Sequence, residues 1–196
     1  MTSYARSALF CLLSATIMGT GPLPALAAAP NVAQAPIGIL QIADGSRHAD
    51  PELEALLPTS LGGVVLTVES QSGADLATKS SAFDAFLENL GKTRADFSVA
   101  SAYSTGGLRA EIGAWRVRGA DPALMLQGFK TALQSSSTTP LTQAEETLAG
   151  RAVARIGDPG QLTHGPLYVV SRGDTLLFVQ TPEAALAEEA VGKLPR

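Results

Sequence analysis

The chain has 196 residues, a formal net charge of −4 at pH 7, two histidines and one cysteine. A mildly acidic chain without basic runs lacks the clustered Lys and Arg that grip nucleic acid, so no nucleic-acid partner is expected. So few soft ligands, this widely scattered, leave no metal set, and no motif calls for a cofactor.

In chain order, the first stretch carries Arg6, an apolar run from Ala8 to Met18 and small residues around Ala25-Leu26-Ala27. This is the layout of a cleavable secretory signal. The run of about 11 residues is well short of the roughly 20 that cross a bilayer as a helix. Cleavage is placed after Ala27, with Ala29 and Ala35 as alternatives, so residues 1–27 are read as the signal. Cys11 leaves with it, and the mature chain then has no thiol. No later stretch reaches spanning length, so no integral membrane segment is expected after cleavage. No Asn-x-Ser/Thr acceptor occurs in the chain. Together these point to a periplasmic or secreted bacterial protein. Residues 28–49, rich in Ala and Pro, read as a flexible tether in which Ile37–Ile42 is a candidate edge strand.

Residues 50–196 read as one domain. Asp50-Pro51 and Asp121-Pro122 each set an N-cap oxygen before a proline in the first helical turn. Thr181-Pro182-Glu183 repeats the device more weakly. The four helices expected are a short one after Asp50, one from Ser80 or Ser81 with Phe83, Phe86, Leu87 and Leu90 on one stripe, one from Pro122 to about Gln134, and a C-terminal one. Strands are expected at 64–69, 97–103, 110–118, 141–148, 151–156, 167–172 and 175–180. The order β-α-β-β-α-β, then β-β-β-α, predicts an α+β fold. Its sheet is mainly antiparallel with helices packed on one face, and its ferredoxin-like βαββαβ core is followed by a βββα extension. One sheet face, with Ser98, Ala100, Ala102, Thr67 and Gly113, is expected to be small and smooth.

Catalytic signals are few. Gly91-Lys92-Thr93 resembles the end of a phosphate loop, but Phe86 stands where that loop needs glycine, so Gly91 is read as a helix C-cap. Neither G-x-S-x-G nor S-x-x-K occurs, and no catalytic residue is assigned. The binding candidates are Trp115, flanked by Arg116 and Arg118, together with Tyr168 and Phe178 of a final hairpin that is apolar on both faces. Its second face is covered either by a helix of the same subunit, or by a second subunit or an apolar ligand. Arg172-Gly173-Asp174 has the form of an adhesion tripeptide, yet Gly173-Asp174 suits the two central residues of that hairpin's turn. The functional expectation is an exported soluble, non-enzymatic binding domain of the bacterial envelope. Its partner would be an unknown protein, a second copy or an apolar small molecule. The alternative is an envelope hydrolase with non-contiguous catalytic residues around His164.

Overall fold

The structure, a computed structural model, describes residues 47–76, 81–158, 161–162 and 164–196. The signal, Cys11, the tether up to residue 46, the Ile37–Ile42 strand and Ser80 lie outside the described residues. Among the described residues, Arg47 pairs with Glu69 at 3.1 Å, and the Ala49 amide donates to the Ser70 carbonyl at 3.2 Å.

Helix α1 (Pro51–Glu54) opens on Asp50, whose carboxylate accepts from the Leu53 amide at 3.0 Å. A small hairpin follows, β1 (Ser60–Leu61) with β2 (Val64–Val65). Its two turn residues, Gly62 and Gly63, both have positive φ, the backbone that a type I′ connection requires. Strand β3 (Thr67–Ser72) therefore starts three residues later than the apolar run Val64–Val68 suggests, because that turn claims Val64 and Val65 for a separate hairpin. Next come α2 (Ser81–Asn89), β4 (Phe97–Tyr103), β5 (Glu111–Val117) and α3 (Pro122–Ser136). The last elements are β6 (Gln143–Leu148), β7 (Arg151–Ile156), β8 (Leu167–Arg172), β9 (Thr175–Gln180) and α4 (Ala184–Lys193).

Gly91 ends α2 at φ +66°, with the Lys92 amide donating back to the Leu87 carbonyl at 2.9 Å, so the Gly-Lys-Thr tripeptide is a helix stop. Asp121 caps α3 through the Ala123 and Leu124 amides. The third proline does not open its helix: Thr181 Oγ1 accepts from the Glu183 amide instead, and α4 begins at Ala184.

The class is α+β with an antiparallel sheet, as the element order implies. Seven strands run β3-β4-β5-β9-β8-β7-β6, and each neighbouring pair is antiparallel. A split βαβ core needs a parallel pair, so the ferredoxin-like order is not the one this sheet has. Instead two meanders, β3-β4-β5 and β6-β7-β8-β9, meet along the β5–β9 ladder.

Nor do the helices share one face. Phe83, Phe86 and Leu87 of α2 and Met125 and Phe129 of α3 pack on Phe97, Val99, Trp115, Leu176 and Phe178. Leu53 of α1 and Ala187, Ala190 and Val191 of α4 pack on the opposite face, over Ala100, Ala114, Tyr168, Val170, Leu177 and Val179. The physical reason was visible in β8 and β9: strands apolar on both faces need cover on both. Here that cover comes from the same chain. Ala100, Ala102 and Ala114 form the small face, and their short side chains let α1 and the residues around Leu57 and Leu61 lie close. Gly113 does not belong to it. Register pairs Gly113 with Ser101 and Phe178 on the aromatic face.

Candidate functional site

The five residues singled out in the sequence do not form one surface. Trp115 is 2% exposed and ringed by Phe83, Phe86, Phe97, Phe129 and Phe178 at centroid distances from 5.1 to 6.3 Å, most of them edge-on. Its indole N–H has no hydrogen-bond acceptor. Phe178 is equally buried, its ring tip lying over Gly113, where a Cβ would come within 2.3 Å of it. Both are core side chains, so Trp115 packs against the helices and is not exposed as an interface anchor. The period of two along β5 sends Arg116 to the other face, where it meets the buried Asp50 carboxylate at 3.1 Å and the exposed Glu52 at 3.5 Å, its side chain mostly withdrawn from solvent. Tyr168 is buried on that face as well, beneath α4, and Arg118 is exposed just past the end of β5. Alternation thus splits the five: Trp115 and Phe178 meet in the aromatic core, Arg116 and Tyr168 lie on the opposite face, and Arg118 is outside both.

A second cluster near α1 has triad-like residue types in the wrong order. Ser70 Oγ donates to Glu54 Oε1 at 2.6 Å, and His48 Nδ1 lies 2.9 Å from Glu54 Oε2. A nucleophilic serine needs the imidazole between itself and the carboxylate. Here the carboxylate is central and Ser70 is fully buried, so the group pins α1 to β3.

The polar residues that collect without such an explanation lie at the far end of the aromatic face. β3 presents Thr67 and Glu69 there, β4 presents Ser101 and Tyr103, and β9 presents Gln180 opposite Glu111 of β5. One register step beyond the Ala102–Ile112 pair brings Tyr103 alongside Glu111. The loop before β8 supplies His164, whose Nδ1 is 3.9 Å from Glu111 Oε1. That loop is clamped onto the end of β9. Gln180 Nε2 donates to the Gly165 carbonyl at 3.0 Å, and Gly165, at φ +88°, passes so close to Thr181 and Pro182 that a Cβ would lie within 2.6 Å of their backbone. Thr181 Oγ1 in turn donates to the Arg109 carbonyl at 2.8 Å, fixing the approach to β5.

Glu111 is the unusual member. Its side chain is 25% exposed, yet its Oε2 is sealed from solvent and has no hydrogen-bond partner. At 3.9 Å the His164 ring is beyond hydrogen-bond reach of Oε1. Burial without compensation pushes the Glu111 carboxyl up to about 8, so it is mainly neutral at pH 7. Burial, and then the hydrogen bond to Glu69, push the Tyr103 phenol up as well. The arrangement can hold a proton on Glu111, exchange it when a charge arrives, and offer oxygen acceptors to a donor group.

Sequence reading assigned nothing to Glu111, although His164 was singled out as the one candidate base. A single carboxylate at a strand start looks solvated; only the pairing of β5 with β9 and the fold of the distant loop bury it. Among the described residues no three His, Cys, Asp or Glu side chains gather as a metal set, and no helix is long and apolar enough to cross a membrane. The chain matches no protein-family model, no curated protein and no solved structure.

Proposed function

We propose that the protein is an exported, non-enzymatic binding domain of the bacterial cell envelope that takes its ligand at the Glu111 end of the sheet. The signal-like first 27 residues support the location. The observation that carries the binding reading is Glu111 itself: a carboxyl group set in a polar cluster with one oxygen sealed and unpartnered. An unsatisfied buried polar group costs about 1–3 kcal/mol. A bound molecule that pairs with the other, unsealed oxygen would offset part of the cost of burying this carboxyl group, and groups whose titration is shifted by burial cluster at functional sites.

Native mass spectrometry of the protein purified from its own compartment tests this. A retained small molecule that is absent from the Glu111→Gln variant is the expected result; the same retained molecule in both would remove Glu111 from the site. One observation favours a second reading, an envelope hydrolase: a neutral carboxyl group beside the imidazole of His164 is a plausible acid–base pair. Turnover of simple esters or amides that disappears in His164→Ala would establish that reading over the first.

A further inference from the structure

Three places outside the core packing hold unexplained features. A shallow groove of about 510 Å³ between the outer side of α3 and Gln143 of β6 is lined by Gln127, Lys130, Thr131, Gln134 and Ser135. Nothing shows what covers it. The Arg116–Asp50 pair is used up in capping α1 and holding it to β5. The Glu111 cluster is different, because its own geometry constrains what fits.

We propose that this site takes a ligand bearing a protonated primary amine, with the ammonium group seated against Glu111 among Tyr103, Gln180 and Ser101. This rests on the reading that the domain binds a ligand at this end of the sheet. Register places Tyr103 and Ser101 of β4 and Gln180 of β9 beside Glu111 on this face; the Tyr103 phenol hydrogen-bonds Glu69, and one N–H of the Gln180 amide is taken by the Gly165 carbonyl, leaving its oxygen as an acceptor. Glu69 lies on the same face, with its charge met by Arg47 at 3.1 Å. Arg109, two residues before Glu111, is exposed, and His164 stands off at 3.9 Å. An ammonium has three donors and no acceptor, which suits such a set.

The sealed Oε2 sharpens the choice. A guanidinium recognises a carboxylate through two parallel hydrogen bonds and needs both oxygens accessible. Glu111 presents one. A compact ammonium needs only that one, since it acts as a point charge. The acidic net charge of −4 adds a weak attraction for any cation. On binding, the ammonium keeps its three protons, the carboxyl proton leaves to solvent, and the site ends as an ion pair.

Calorimetry with n-butylamine, methylguanidine and a lysine-bearing tripeptide, each in two buffers of different ionisation heat, tests the inference on the full mature chain. With a carboxyl group that titrates near 8, each bound amine should release about 0.9 proton at pH 7 and about 0.1 at pH 9. Glu111→Gln should weaken butylamine at least tenfold and abolish the proton release, and methylguanidine should bind at least tenfold more weakly than butylamine. Binding of the tripeptide but not of butylamine would assign the amine to a peptide; the reverse, to a small molecule. Equal binding of methylguanidine, or amine binding without proton release, would overturn the amine assignment. A molecule without an amine, retained in native mass spectrometry and lost in Glu111→Gln, would overturn it too while leaving the binding reading intact. No retained molecule and no binding of any probe would end both.

Discussion

Trp115 and Glu111 stand four positions apart on β5, on the same face of one sheet, and their surroundings are opposites. Around Trp115, five phenylalanine rings from α2, α3, β4 and β9 close on the indole, four of them edge-on. Around Glu111 the same strands present Thr67, Tyr103, Ser101 and Gln180. Alternation fixes only which face a side chain takes; what covers that face decides whether the position is core or site. Gly113 sits between the two, and Phe178 fills the space its side chain would occupy. The aromatic end is filled by packed rings, whereas the polar end holds a carboxyl oxygen sealed from solvent without a hydrogen-bond partner.

This contrast can be broken in four places. The largest effect is expected at the aromatic end: Trp115→Ala should destabilise the fold by about 3–5 kcal/mol in urea denaturation. The wild-type protein, which has a single tryptophan, should emit in the blue until it unfolds. A red-shifted native spectrum that shifts no further in urea would contradict the closed cage.

At the polar end the sign reverses. Glu111 titrates near 8 when folded against 4.5 normally, so the folded state keeps a proton that the unfolded chain gives up. Stability is then fully present below about pH 4.5 and declines as pH rises to about 8. Glu111→Gln should remove this decline, gaining about 2–4 kcal/mol over wild type at pH 8.5 relative to pH 4.5. Parallel stability profiles for the two proteins would show that the carboxyl group is not held neutral.

Gly113→Ala attacks the boundary. Its methyl would meet the Phe178 ring, and overpacking of this kind costs about 1–3 kcal/mol. A shift of the Trp115 emission should accompany the loss, because Phe178 packs on the indole. An unchanged melting temperature would mean that Phe178 has room to turn aside.

The smallest effect belongs to the rim of the aromatic end. Asp84 accepts from Arg94 Nε at 2.6 Å, and the Arg94 guanidinium lies 5.5 Å from the Phe83 ring centre. The hydrogen bond from Arg94 holds the Asp84 carboxyl below its ordinary value. Its contribution is present above about pH 4 and lost as pH falls through the lowered value, opposite in direction to Glu111. Because Asp84 is largely in solvent, Asp84→Asn should cost no more than about 0.5 kcal/mol at pH 7. A cost several times larger would mean that the rim supports the cage and does not merely border it.

How much of this was legible follows the range of the interactions. The β8 and β9 boundaries coincide with the expected 167–172 and 175–180, because alternation and a Gly-Asp turn are local signals. Gly173 has φ +55° and Asp174 is not in the positive region, the pattern of a turn with glycine in its first central position. Asp174 Oδ2 also accepts from the Gly119 amide at 3.0 Å, so the third residue of the adhesion-like tripeptide is engaged within the fold. The two-layer cover was implied by the doubly apolar hairpin, but which helix took which face was not. Gly113 was misplaced against its own strand's alternation, which sets it on the face of Trp115 two positions on. Glu111 escaped notice because its burial arises from Gln180 and His164, brought from far along the chain by the β5–β9 ladder.

That ladder has a consequence for how the molecule comes into being. Every other pairing in the large sheet joins strands that are consecutive in the chain, so each meander can form from nearby contacts. Joining β5 to β9 must instead close a loop that contains α3, β6, β7 and β8, the costliest strand pairing in the sheet and therefore the one expected to limit how fast the sheet forms. Glu111 and Gln180 are the terminal pair of that seam. The site is thus assembled from both halves at once, and a ligand held there would act as a clasp across the seam between the two meanders.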